Sequence, residues 1–79
     1  MLNSCGVQLR AKRVEAGISG AVLCMRAGIG RGRLSDIERG HVVPSDETLK
    51  RVNTALNELI FAKQRLVALA AKEGWPLLL

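Results

Sequence analysis

The chain has 79 residues, which suits one small domain near the lower size limit for folding without disulfides or metals. Its composition is 48% hydrophobic and 24% charged, which excludes a disordered chain, and the near absence of aromatic residues predicts an aliphatic, helical core. The net charge is +5, and residues 10–39 hold seven basic against three acidic side chains, which favours a polyanionic partner.

Several function classes lack a sequence basis. Cys5 and Cys24 are too few for a disulfide framework, and His41 has no ligands at metal-binding spacing, so we predict no metal site. No catalytic pair or cofactor loop is present, so we predict neither an enzyme nor a cofactor. The longest uncharged runs, 1–9 and 16–25, are about half as long as a membrane span. We therefore expect a cytoplasmic protein with no membrane partner.

The first predicted helix begins at Ser4 or Gly6 and continues through VQLRAKRVEA. Gly17 is expected to end it, because a glycine accepts the left-handed conformation of a helix C-terminal cap. The residues expected to face the core are Val7, Leu9, Ala11 and Val14.

Two short helices follow. Ser19 is predicted to cap the N-terminus of the second helix, GAVLCMRA, and Gly28 is predicted to end it. The third helix is expected to begin near Gly30 or Arg31, to include RGRLSDIER and to end at Gly40.

The fourth helical segment is predicted to begin after Ser45, which is an N-cap candidate. An apolar stripe continues from there to Ala70 in steps of three and four residues, with Lys63 as its polar interruption. The stripe allows either one helix over about 46–73 or two helices hinged near Asn57. The whole chain is therefore predicted to be one all-α domain.

The second and third helices have a specific spacing. Counted from Gly20, the apolar, small and turn positions are Leu23, Cys24, Gly28, Ile29, Leu34 and Ile37. Leu23 and Ile37 are expected to be buried across the angle between the helices, and Cys24 must be small because the next helix passes close by. This spacing predicts a helix-turn-helix over 19–40.

This unit, together with LSDIERG and the following Pro44-Ser45 and TLKRVNTAL, resembles the Cro/C1-type (Xre-like) helix-turn-helix family of phage and plasmid repressors. The resemblance covers residues 6–60. It implies a compact, lambda-repressor-like domain of four or five helices with an extended C-terminal helix, and binding to double-stranded DNA. It also implies an ion pair between Arg13 and Glu38.

The third helix is the predicted recognition helix. The resemblance implies base-reading roles for Arg31, Gly32 and Asp36, and Ser35 lies on the same exposed arc. Arg31 suits a bidentate contact with guanine, and Asp36 suits the amino group of cytosine. A pair between Asp36 and Arg33 or Arg39 is an equally good interpretation of that carboxylate. Gly32 has no side chain for base reading.

The phosphate contacts are expected at the ends of the unit. The proposed residues are Ser19, Gly20, Arg33, Arg39 and His41. Members of the family usually have glutamine where this chain has Gly20, so a helix-two contact is expected to be reduced.

The C-terminal region, 57–79, is predicted to form a dimer interface because its stripe is long and its tail is apolar. Packing of the stripe in the core of its own chain is the alternative interpretation. The residues expected there are Leu59, Leu66, Ala70 and Trp75. The sequence thus predicts a homodimeric repressor that occludes a promoter at a palindromic operator. The alternatives are an antitoxin-type module that binds a toxin-like protein, and a restriction–modification controller protein.

Overall fold

The computed structural model describes residues 4–73, with side chains over 5–72. Within those residues the chain forms four helices and no strand, and the helices are α1 (Ser4–Glu15), α2 (Gly20–Ala27), α3 (Arg31–Glu38) and α4 (Asp46–Glu73). The predicted all-α fold with a long C-terminal helix is therefore confirmed. No helix in the described part of the chain has the length and apolar character of a membrane span.

The helix ends follow the local sequence signals. Gly17, Gly28 and Gly40 have φ values of 72°, 72° and 80°, a left-handed conformation that glycine adopts without strain. The hydroxyl oxygens of Ser19 and Ser45 each accept a 3.1 Å hydrogen bond from the backbone amide three residues later. These caps satisfy backbone groups that the helices themselves leave unpaired.

One aliphatic core joins all four helices. Its buried residues are Leu9, Ile18, Leu23, Cys24, Ala27, Leu34, Ile37, Val52, Ala55 and Leu56. Burying each of the larger side chains contributes about 1.5–3 kcal/mol. The core holds α2 and α3 at a fixed angle against α1 and the first half of α4.

The predicted core face of α1 is wrong at three positions and right only at Leu9. The exposed side chains are those of Val7 (44%), Ala11 and Val14 (55%). The buried or half-buried residues of α1 are instead Gly6, Leu9, Arg13 and Ala16. The error has a physical cause: two of these positions are a glycine and an arginine, which hydrophobic periodicity does not assign to a core.

Gly6 lies inside α1, where the backbones of α1 and α3 come into contact. A Cβ atom at Gly6 would overlap the carbonyl oxygen of Ile37. Glycine at this position therefore permits the close packing of α1 against α3, a role that its interpretation as a helix start missed.

The fourth segment is one continuous helix of 28 residues, without a hinge at Asn57. Lys63 does not interrupt its packing, because its Nζ donates a 2.7 Å hydrogen bond to the carbonyl oxygen of Ala16. A lysine at this point satisfies an unpaired carbonyl at the C-terminal end of α1. Beyond Ile60, α4 extends past the core cluster, and we call residues 61–72 distal α4.

Candidate DNA-binding interface

The turn between α2 and α3 is fixed by backbone hydrogen bonds and by the core. The amides of Gly28 and Ile29 both donate to the carbonyl oxygen of Cys24, at 2.8 and 3.1 Å. Burial raises the pKa of the Cys24 thiol, so the group stays protonated near neutral pH and acts as a small core residue. The core therefore holds the two helices as a rigid unit.

The C-terminal end of α3 is anchored by an ion pair with α1. Arg13 Nε and Nη2 donate to the two carboxylate oxygens of Glu38 at 2.8 and 3.0 Å, and Nη1 donates to the Ile18 carbonyl oxygen at 2.9 Å. The hydrogen bonds to Glu38 raise the pKa of Arg13, against the opposing effect of burial. Arg13 and Glu38 thus form the ion pair that the family resemblance implies, and it connects α1, α3 and the α1–α2 turn.

The opposite side of α3 is open. Leu34, Ile37 and Glu38 face the interior, whereas the expected base-reading residues Arg31, Gly32 and Asp36 are exposed and Ser35 is half-buried. A Cβ atom at Gly32 would meet no atom within 4 Å. The four residues therefore lie on one accessible arc, and their contacts with bases remain a prediction.

Asp36 has no salt bridge within the part of the chain that the structure describes. The ion pairs found there are Arg13–Glu38, Arg26–Glu58 and Glu47–Arg51. The alternative pairing of Asp36 with Arg33 or Arg39 is therefore not observed. All three side chains are exposed, and they remain available to a ligand.

The expected phosphate-binding residues lie at both ends of this arc. Arg33, Arg39 and His41 are exposed. The hydroxyl oxygen of Ser19 accepts the capping hydrogen bond of α2, so this hydroxyl is less available for a phosphate contact. A Cβ atom at Gly20 would make only ordinary contacts at 3.9–4.0 Å, with the side chains of Arg13 and Leu34, so the fold leaves room for a Cβ atom there.

The expected dimer residues have unequal environments. Leu59 packs partly against the core, Leu66 is 48% exposed, and Ala70 is only 3% exposed within the single chain. Trp75 lies outside the described residues. Distal α4 has further exposed apolar side chains that the predicted stripe does not include, and they are Phe61, Val67 and Leu69.

The comparisons with known proteins agree with this geometry. A helix-turn-helix family model matches residues 9–59, which contain α2, α3 and the first part of α4. No curated protein and no solved structure matches the chain. The matched family consists of DNA-binding transcriptional regulators and is typically non-enzymatic. The chain therefore belongs to the Cro/C1-type (Xre-like) helix-turn-helix family.

Proposed function

We propose that the protein is a cytoplasmic homodimeric repressor that inserts α3 of each subunit into the major groove of a palindromic operator and thereby occludes a promoter. The observation that carries this proposal is the exposed arc of α3, which lies opposite the buried Leu34 and Ile37. An accessible helix face with arginines and short polar groups suits the major groove, where base edges are distinguishable.

Base reading is assigned to three side chains of this arc. Arg31, at the N-terminal end of α3, donates two hydrogen bonds to a guanine. Asp36 accepts from a cytosine amino group, and its exposed, unpaired carboxylate supports this role. Ser35 adds a hydroxyl contact. Gly32 reads no base, but it lets the α3 backbone approach the DNA closely.

Phosphate contacts position this helix in the groove. Arg33, Arg39 and His41 bind phosphates beside α3, and the free amides at the start of α2, near Ser19 and Gly20, bind another. These contacts are independent of base sequence, so they contribute affinity and orientation rather than specificity.

The two subunits pair through distal α4 within the C-terminal region 57–79. Four large apolar side chains are exposed there, and they are Phe61, Leu66, Val67 and Leu69. Packing against a second α4 removes from water those of these side chains that lie on the contacting face, and places two recognition helices about 34 Å apart, one turn of DNA.

The central experiment is in vitro selection of bound duplex DNA from a random library, with the protein mass measured in solution. We expect a dimer and an enriched palindrome whose half-sites are centred about 10 base pairs apart. Recovery of no enriched sequence would contradict sequence-specific binding, and a single unrepeated half-site bound by a monomer would contradict the dimer.

The exposed apolar side chains of distal α4 also support a second function, an antitoxin-type module that binds a toxin-like protein there. Hydrogen exchange distinguishes the antitoxin from the repressor. In an antitoxin, the amides of distal α4 are expected to be protected only when the partner is added. In a dimeric repressor, the same amides are expected to be protected without an added partner. A restriction–modification controller is separated by a promoter assay, in which it activates transcription as well as repressing it.

A further inference from the structure

An open groove lies between α1 and α3 on the side that carries the exposed valines of α1. Val7, Arg10 and Val14 line one wall, and Ser35 and Arg39 line the other. We call this feature the α1–α3 groove. It exists because α1 directs Gly6 and Arg13, rather than its valines, toward α3.

The α1–α3 groove has two arginines that the protein itself does not neutralise. At its base, Arg13 and Glu38 neutralise each other. Arg10 and Arg39 project from opposite walls, both are exposed, and neither belongs to an ion pair among the described side chains. Glu15 is the acidic lining residue outside that pair. The groove therefore has an excess of positive charge and favours an anionic ligand.

The α1–α3 groove is also continuous with the recognition surface. Ser35 lines the groove and belongs to the exposed arc of α3, and Arg39 lines the groove at the end of that arc. The groove therefore opens beside the surface on which α3 is proposed to bind DNA.

We infer that the α1–α3 groove receives the DNA backbone that borders the major groove, with Arg10 bound to a phosphate from the α1 wall and Arg39 from the α3 wall. This assignment rests on the proposed function and extends the DNA interface to α1. The half-exposed Val7 and Val14 then lie beside deoxyribose, which offers an apolar surface between the phosphates.

DNA fits the α1–α3 groove better than an acidic polypeptide does. Each DNA strand presents one negative charge about every 3.4 Å, and this array continues from the recognition arc into the groove. An acidic polypeptide would instead compete for Ser35 and Arg39 while α3 is bound to DNA.

The test measures how the Kd for a random-sequence duplex depends on salt in three forms of the full chain, which are the wild type, Arg10→Gln and Lys12→Gln. Lys12 is the matched control, because it is a cation of the same helix but donates to Asn57 Oδ1 on the α4 side at 2.6 Å. Both substitutions remove one charge from an exposed position and retain a polar side chain.

We expect the slope of log Kd against log salt concentration to fall by about 0.9 per bound subunit in Arg10→Gln, the value for one lost phosphate contact. The Lys12→Gln slope should match the wild type. Equal slopes in the two variants would overturn this inference without contradicting the proposed function. An acidic polypeptide would then be the better candidate ligand of the groove. If the wild type shows no salt-dependent DNA binding, the proposed function fails as well.

Discussion

The helix-turn-helix unit and distal α4 use similar apolar residues in opposite ways. In the helix-turn-helix unit, Leu23, Leu34 and Ile37 are almost completely buried within one chain. In distal α4, Phe61 is 61% exposed and Leu66 is 48% exposed. The first region therefore obtains its stability from intramolecular packing, whereas the second has apolar surface left for a partner.

The charged residues of the two regions also differ in burial. Arg13 and Glu38 form a largely buried, bidentate pair that holds the helix-turn-helix unit together. In distal α4, Arg65 lies 5.8 Å from the centre of the Phe61 ring and remains exposed. Substitutions in the first region should therefore change folding, and those in the second should change assembly.

The largest effect is expected from Gly6→Ala in α1, a substitution that changes folding. The new methyl group would overlap the Ile37 carbonyl oxygen, and a backbone atom cannot yield without moving α3. We expect a loss of about 3 kcal/mol in the free energy of unfolding, at the upper end of overpacking effects. Urea denaturation measures it. A loss below about 0.5 kcal/mol would show that α1 and α3 are not in backbone contact.

The next effect concerns assembly and comes from Leu66→Glu. Half of this side chain is already buried, so its burial in the proposed dimer gains about 1 kcal/mol per copy, and the glutamate adds a desolvation cost. We expect the free energy of dimerisation to become less favourable by about 2–3 kcal/mol. Sedimentation equilibrium measures it, with Gln64→Glu as the control at a neighbouring exposed position. An unchanged dissociation constant would place the interface elsewhere.

Arg31→Ala should leave both folding and assembly intact, because the side chain is exposed and makes no ion pair among the described residues. We expect specific DNA binding to weaken by about 1–3 kcal/mol, with relaxed preference at one base pair. Competition between the selected operator and its single-base variants measures this effect. An equal loss on random DNA would reduce Arg31 to a phosphate contact.

The smallest effect is expected from Gly32→Ala, which is the same substitution as Gly6→Ala but at an open position. The new methyl group meets no atom within 4 Å, and alanine favours a helix over glycine, so stability should rise by about 0.5–1 kcal/mol. Operator affinity should fall if the α3 backbone approaches the DNA closely. Thermal unfolding and DNA titration measure the two effects separately, and a fall in stability would contradict the open environment of Gly32.

The parts of the fold that were predictable depend on local chemistry. Helix caps at Ser19 and Gly28, and the buried positions Leu23 and Ile37, follow from residue preferences and spacing within a short stretch. The same holds for the exposed arc of α3, because helical periodicity separates its two sides.

The unpredicted parts depend on contacts between distant residues. The role of Gly6 depends on a carbonyl group 31 positions away, and Lys63 bonds to a residue 47 positions away. Hydrophobic periodicity predicts Val14 in the core. It contains no information on the pairing with Glu38 that turns Arg13, and not Val14, toward α3. The Arg13–Glu38 pair itself was expected only through the family resemblance, since nothing in the local sequence joins these residues.

The hydrogen bond from Lys63 to Ala16 connects α4 to the C-terminal end of α1 at the point where α4 leaves the core. The ten residues that follow Lys63 in α4 span about 15 Å, so a tilt of about 10° at this point displaces the helix end by about 3 Å. That displacement is close to the rise of one base pair, about 3.4 Å. We therefore expect the Lys63 contact to influence the separation of the two half-sites in the proposed dimer.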